Sequence, residues 1–208
     1  MPNLIAQWHA EHVHFSRLLD LLEAQVAAFH EGERPNFGLM LDIVSYLRDY
    51  ADQAHHPRED ATFACLLNHE PALRLPLNRL LQEHRVIAVA GEELVEQLDD
   101  VIVDAVVLRA TIEAAAAQYL AYYRHHLATE EREILPRAAR LLTEEDWAHI
   151  AAAAPSVPDP LFDDPPSDAY RELREFIASQ APKTPVASAP QGGVARLGRL
   201  GAGQAPKA

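Results

Sequence analysis

The five residues His55-His56-Pro57-Arg58-Glu59 have a counterpart in His126-Leu127-Ala128-Thr129-Glu130 further along the chain. In each stretch a histidine is followed, four residues later, by a glutamate. One further histidine precedes each stretch at almost the same separation, His12 before the first and His84 before the second. A repeat of this length is worth seeking before any other signal, because it organises the whole chain.

Residues four apart on a helix share one face, with Cβ atoms about 5–6 Å apart. A neutral imidazole is a good ligand for iron, zinc or copper, and a carboxylate on the same face can reach the same ion or bridge to a second one. Such a set exceeds what one tetrahedral zinc ion takes, which favours two metal ions. The sequence therefore predicts a metal site whose ligands are His12, His55, Glu59, His84, His126 and Glu130.

The alternative is that these residues do not form a common site and have separate structural roles. A single histidine on an apolar face is usually a packed core residue, and a single His-x-x-x-Glu pair is usually an exposed pair on a helix. Here each of four helices carries a histidine on its apolar face, with duplicated spacing, and this combination favours a metal site over separate structural roles. Burying the imidazoles and carboxylates without a metal would also be costly.

Apolar residues recur at steps of three and four along most of the chain, which is the period of an amphipathic helix, and no segment alternates like a strand. Pro57 interrupts the second helix, so we expect a kink or distortion near His55. Short connections favour an all-α, up-down antiparallel four-helix bundle. The four helices are predicted at about 4–30, 36–67, 72–98 and 103–141.

Beyond the bundle, Thr143 followed by three acidic residues is typical of a helix N-terminus. A connector rich in proline and aspartate follows, and then a short amphipathic segment at 168–179. The last stretch is rich in Ala, Pro and Gly and has little to bury, which predicts disorder. We thus expect a bundle at 1–142, a short helical extension at 143–180 and a disordered tail at 181–208.

The net charge of −13 argues against binding to nucleic acid or to anionic membranes. A single cysteine, Cys65, excludes an intramolecular disulfide and fits a reducing compartment. We find neither a signal-peptide pattern nor an apolar stretch of the roughly 20 residues needed to span a bilayer. The expectation is a cytoplasmic protein without nucleic-acid or membrane partners; a homodimer is possible.

For several residues next to the predicted ligands, the sequence does not decide between a role in the metal site and a structural role. His56 and His125 stand beside ligands, so either can replace its neighbour or hydrogen-bond nearby. Tyr119 and Tyr122 precede His126 on its face. We expect them to be aromatic residues of the core. The alternatives are that they donate hydrogen bonds to the site or that one of them is a tyrosinate ligand.

Four acidic residues are also adjacent to predicted ligands. Glu11 and Glu83 are expected to be surface charges, although each can instead accept from a ligand histidine. Asp60 and Glu131 follow the ligand glutamates, and we expect them as outer acceptors.

The motifs Glu11-His12, His55-His56-Pro57-Arg58-Glu59-Asp60, Glu83-His84 and His126-x-x-x-Glu130-Glu131, with Ile134-Leu135-Pro136, resemble a hemerythrin-like (HHE cation-binding) domain of the bacterial branch. The resemblance covers about residues 4–141. It implies a non-haem centre of two oxo- or hydroxo-bridged iron ions in a four-helix bundle. Invertebrate oxygen carriers of this family have five histidines, with His-x-x-x-His on the third helix. Here Ala88 stands four residues after His84, so one imidazole is missing, which weighs against reversible oxygen carriage.

A histidine-rich shell favours the ferrous state and a neutral diatomic ligand at an open position. We therefore expect interaction with O2, NO or peroxide for sensing, scavenging or iron handling. The alternatives are an iron-dependent regulatory module and a diiron enzyme of peroxidase or catalase type, so whether the protein is an enzyme is left open. Zinc is a less favoured occupant, but it remains an alternative because affinity order alone does not select iron.

Overall fold

The computed structural model describes residues 4–180. Within that range the regular structure is entirely helical. The predicted disordered tail at 181–208 lies outside the described residues.

The bundle consists of four helical arms. The first arm, α1, contacts the second and fourth arms, and the third arm contacts the same two, so the four close into a ring. This arrangement confirms the predicted all-α helical bundle. The arms are α1 (Leu4–His30); α2 (Phe37–Tyr46), a π-helical segment (Leu47–His55) and α3 (His56–His69); α4 (Arg74–Ile102), preceded by a 3₁₀ turn (Pro71–Leu73); and α5 (Arg109–Thr129), a π-helical segment (Glu130–Ile134) and α6 (Leu135–Leu141).

The connection between the third and fourth arms differs from the prediction. Helix α4 continues to Ile102, and α5 begins at Arg109 rather than at 103. Between them Asp104 adopts a φ of 61°, in the left-handed region that ends helices. Val106 is fully exposed in this loop, so the apolar residues that resembled the start of a helix do not enter the core.

Both π-helical segments end two residues before a proline. The N–H of His56 bonds to the carbonyl of Ala51 and precedes Pro57, while the N–H of Leu135 bonds to the carbonyl of Glu130 and precedes Pro136. Proline lacks an N–H and its ring clashes with the carbonyl four residues earlier, so the helix takes an extra residue per turn. The predicted distortion near His55 is confirmed, and a second distortion follows Glu130.

Two hydrophobic clusters fill the bundle, one on each side of a polar layer. The larger contains Phe15, Ala51 and Ile87, and the smaller contains Phe63 and Leu80. In each arm the predicted ligands lie between residues of the two clusters. The apolar packing therefore fixes the height of the polar layer in all four arms.

The extension begins as predicted, because Thr143 and Asp146 form a reciprocal capping box at the start of α7 (Glu144–Ala153). Helix α7 packs on α3. A 3₁₀ turn (Asp168–Tyr170) then leads into α8 (Arg171–Gln180), which packs on α2.

The extension shares the core of the bundle. Leu161, Leu173 and Ile177 are buried in the larger cluster. The buried hydroxyl of Tyr46 donates to Asp159 at 2.9 Å, so the connector is held against the second arm. Among residues 4–180, no helix has both the length and the apolar character needed to cross a membrane.

Candidate metal centre

The structure brings the six predicted ligands together in the polar layer, each from the arm expected. None is more than 7% exposed. The carboxylate of Glu59 lies among three arms: its Oε1 is 3.2 Å from Nε2 of His12 and 3.0 Å from Nε2 of His55, and its Oε2 is 3.4 Å from Nε2 of His84. Glu59 is therefore placed to bridge two groups of histidines.

The carboxylate of Glu130 has a comparable position on the opposite side. Its Oε2 lies 3.3 Å from Nε2 of His126 and 3.7 Å from Nε2 of His12. Its Oε1 lies 3.8 Å from Nε2 of His84. Both inner glutamates thus contact histidines from more than one arm.

A fifth imidazole, from His56, joins this layer. His56 is 4% exposed and stacks on His84, with ring centroids 4.2 Å apart and an interplanar angle of 9°. Donor atoms of His56, Glu59, His84 and His126 all lie within 4.8 Å of one another, and those of His12, His55 and Glu59 form a second such group. Glu59 belongs to both groups.

His56 and His125, whose roles the sequence left open, thus differ: His56 lies in the polar layer and His125 lies outside it. The side chain of His125 is 51% exposed and lies beside Arg79 and Glu83 on the surface. The sequence feature that could have indicated a buried His56 is Pro57, because the distortion near it allows two consecutive histidines to point inward.

Six of the inner donor atoms are buried without hydrogen-bond partners among the described residues. Buried polar groups are nearly always satisfied, and each orphan costs about 1–3 kcal/mol. Imidazole nitrogens and carboxylate oxygens that converge in this way fit a transition-metal cation. The unpartnered atoms are Nε2 of His56, His84 and His126, Oε2 of Glu59, and both carboxylate oxygens of Glu130.

Three of the inner histidines have a carboxylate partner on the outer ring nitrogen. Nδ1 of His12 is 2.8 Å from Glu131, and Nδ1 of His84 is 2.8 Å from Asp60. These two acceptors were predicted. Nδ1 of His55 is 2.5 Å from Glu11. Such partners fix the orientation of a ligand imidazole and raise its basicity.

The remaining two histidines follow the same pattern at longer range. Nδ1 of His126 lies 3.4 Å from Glu83, and Nδ1 of His56 lies 3.1 Å from Asp52. Burial raises the pKa of the Asp52 carboxyl to about 7. All five imidazoles thus direct Nδ1 toward an outer carboxylate and Nε2 toward the interior.

Glu11 is the most extensively bonded of the outer carboxylates, so its expected role as a surface charge is wrong. It is 5% exposed and accepts two hydrogen bonds from Arg58, at 2.9 and 2.7 Å. The hydroxyl of Tyr50 donates to it at 3.2 Å. Burial opposes ionisation, but His55 and Arg58 outweigh it and lower the pKa of Glu11 to about 2.

The surrounding carboxylates, outer ones first, also raise the pKa of two of the histidines. Burial disfavours the charged imidazole of His12, yet Glu131 and Glu59 raise its pKa to about 10. Burial opposes the same change in His84, whose pKa Asp60 raises to about 12. Metal ligands must be deprotonated, so a cation at this site competes with these protons.

The prediction that Tyr119 and Tyr122 belong to the core is correct for Tyr119 and wrong for Tyr122. Tyr119 is buried and packs against Gly91, where an added Cβ would lie 3.1 Å from the ring. Tyr122 is 43% exposed, and Tyr123 is buried in its place, with its ring centroid 6.1 Å from that of His56. The buried face of α5 is therefore centred on the side of Tyr123.

A closed ring of helices around a buried layer of five imidazoles and two carboxylates defines a helical-bundle cation-binding protein. The chain belongs to the hemerythrin family: the Hemerythrin HHE cation-binding domain matches residues 3–138. Comparison with curated proteins and with solved structures found no match. The family match ends before α7, so the extension lies outside it.

Proposed function

We propose that the polar layer binds two iron ions, one held by His12 and His55 and the other by His56, His84 and His126. Glu59 and Glu130 would supply carboxylate oxygens to these ions. The observation that carries this proposal is the position of Glu59, whose two oxygens face the two groups of histidines separately. A carboxylate in that position binds two cations more readily than one.

The two groups of donors are unequal. The first group offers two imidazoles and the second offers three, so an ion at the first would have the more open coordination. Bound iron supplies redox chemistry and a position for an exogenous ligand. With only two inner carboxylates, the histidine-rich shell favours the ferrous state and a small ligand such as O2, NO or peroxide. The protein would use this binding for sensing, scavenging or iron handling.

His56 changes the comparison with the invertebrate oxygen carriers. The third helix lacks a second histidine, because Ala88 stands where the oxygen carriers have one. The second arm supplies an additional imidazole through His56, so the total is again five. Reversible oxygen binding therefore remains among the proposed uses of the site.

Metal content per chain tests this proposal most directly. Protein from iron-supplied cells should contain about two iron ions per chain, the number that five imidazoles and two shared carboxylates accommodate. The double variant His55→Ala/His126→Ala should lose nearly all of it, and His125→Ala, which changes an exposed histidine, should retain it. Full iron occupancy in the double variant, or zinc in the wild-type protein, would contradict the proposal.

One observation favours a second candidate, an iron-dependent regulatory module. Buried carboxylates are costly unless they are paired, so the stability of the bundle should depend on the cation. A large loss of helicity on chelation, measured by circular dichroism, would favour regulation. Unchanged helicity with altered absorption spectra would favour ligand chemistry, and sustained peroxide consumption would favour the enzyme alternative.

A further inference from the structure

A surface cavity of about 530 Å³ lies between α1 and α5 and extends inward to the polar layer. Its lining includes Val13, which is 54% exposed, and His12, which is 2% exposed. Leu127 and Ala128 form part of its wall on the other helix. The cavity therefore connects solvent with His12, which belongs to the group that offers two imidazoles.

Glu131 stands at the boundary between the cavity and the polar layer. Its Oε1 is 2.8 Å from Nδ1 of His12, and its Oε2 is 2.9 Å from Nδ1 of His9. The side chain of Glu131 is 32% exposed, that of His9 is 63% exposed and that of His12 only 3%. Glu131 therefore links the exposed part of the cavity lining to the buried His12.

We propose that this cavity is the route by which a small ligand reaches the ion at His12 and His55, with Glu131 as its gate and Ala128 setting its width. The proposal rests on the proposed function, because it assumes an ion at this position. Ala128 has a small side chain on the exposed wall, so the route is open there to a molecule of a few atoms.

The chemistry of the lining favours a neutral ligand. Arg124 is bonded to Asp20 at 2.7 Å and to Glu23 at 2.8 Å, so its charge is compensated. Arg17 donates to the carbonyl of Ile177. The carboxylate of Glu131, beside His12 in the cavity lining, repels anions. Diatomic gases and hydrogen peroxide therefore suit the route better than an anion such as azide.

The same groove contains a matched control. A neighbouring cavity of about 460 Å³ between the same helices is lined by Val26, Ala117 and Ala121, and none of the inner histidines is part of its lining. Ala121 and Ala128 are both exposed alanines on α5. A bulky substitution at Ala121 should therefore fill a cavity that does not reach the ion.

The test is stopped-flow association of NO with the iron-loaded, reduced full chain. Ala128→Phe should slow association about tenfold or more, a factor that a modest added barrier produces, at unchanged iron content. Ala121→Phe should change the rate by less than about twofold. Equal rates for Ala128→Phe and the wild-type protein would overturn the proposed route.

Two further measurements keep the proposal testable if the phenylalanine variant folds poorly. Ala128→Leu should slow NO in the same direction by a smaller factor. Glu131→Gln, which removes the charge but retains polar atoms, should increase the rate of azide binding to the oxidised protein relative to that of NO. An unchanged ratio of the two rates would overturn the role of Glu131 as the gate.

The outcomes separate this inference from the proposed function. If the wild-type protein holds no iron, or if its iron does not bind NO, the proposed function fails. If the wild-type protein binds NO and Ala128→Phe does not slow it, the centre stands and only the route is wrong.

Discussion

The two halves of the bundle carry the same His-x-x-x-Glu spacing but contribute differently to the centre. In the first half, the consecutive residues His55 and His56 both point inward. In the second half, His126 is fully buried while His125 lies on the surface. A symmetric sequence pattern has thus produced an asymmetric centre, with three histidines from the first half and two from the second.

The difference follows from where each half distorts its helix. Adjacent residues on an α-helix diverge by about 100°, so two consecutive side chains do not normally face the same interior. In the first half the π-helical segment ends at His55, the first residue of the pair, whereas in the second it begins at Glu130, four residues after His126. Only the first distortion falls where it can turn both histidines inward.

The surroundings of the two halves differ as well. Glu11, the acceptor of His55, is buried and is bonded to the buried Arg58. Glu83, the acceptor nearest His126, pairs instead with Arg79, whose side chain is 70% exposed. The extension adds to this difference, because its contacts with Tyr46 and Asp49 lie on the first half. The first half should therefore hold its predicted metal ligands more rigidly.

The largest effect should come from the shared carboxylate. Glu59→Ala removes a group that contacts histidines of both groups, so we expect loss of iron from both positions. Glu130→Ala should reduce iron content less, because Glu130 lies farther from the histidines, at 3.3 to 3.8 Å. Metal analysis after purification measures both. Greater loss in Glu130→Ala would reverse the assignment of the principal bridge.

The next largest effect should distinguish His56 from His125. His56→Ala should lower the affinity for the second ion by more than the roughly 10–100-fold typical of losing an outer partner. His125→Ala should leave it unchanged. Titration of the purified protein with ferrous iron under anaerobic conditions measures both affinities. Equal behaviour of the two variants would mean that His56 is a packed core histidine rather than a ligand.

The sequence predicted most of this fold because the apolar period and the ligand spacing both depend on local helix geometry. The six predicted ligands needed only the rule that residues four apart share a face and the position of each histidine on the apolar face of its helix. The same rule placed His55 inside but, applied to an undistorted helix, could not place His56 there with it. That outcome required the π-helical turn, whose length depends on how Pro57 is accommodated.

The outer partners show a second limit of sequence reasoning. Glu11 and Glu83 occupy equivalent positions, each directly before a histidine, yet Glu11 is buried and Glu83 is partly exposed. What separates them is Arg58, which contributes to the site from another arm. A contact between arms is set by tertiary packing, and no spacing within one helix reveals it.

The outer carboxylates should produce the third effect. Glu11→Gln keeps the size of the side chain but removes the charge that polarises His55, and we expect about a 10–100-fold loss of affinity for the first ion. Glu83→Gln should have a weaker effect, because its contact with His126 is longer, at 3.4 Å, and less buried. The anaerobic iron titration is the measurement, and a stronger effect at Glu83 would refute the claim that the first half is held more rigidly.

The smallest effect should come from the contact that fastens the extension to the first half. Tyr46→Phe removes the buried hydrogen bond to Asp159, which should lower the free energy of unfolding by about 1 kcal/mol. For a chain of this size that change corresponds to a Tm lower by about 2–4 °C, measurable by calorimetry. Iron content should stay the same, because Tyr46 contacts none of the inner donor atoms among its described hydrogen bonds.

Tyr170→Phe is the matched control for this change, because its hydrogen bond to Asp49 is exposed and should contribute almost nothing. Asp159 retains the backbone N–H groups of Leu161 and Phe162 in the Tyr46 variant, so its carboxylate is not left unpaired. Because these hydrogen bonds to Asp159 remain, the expected decrease in the free energy of unfolding is modest. A Tm drop well beyond this range, accompanied by loss of iron, would show that the extension supports the metal centre itself and not only the packing of the second arm.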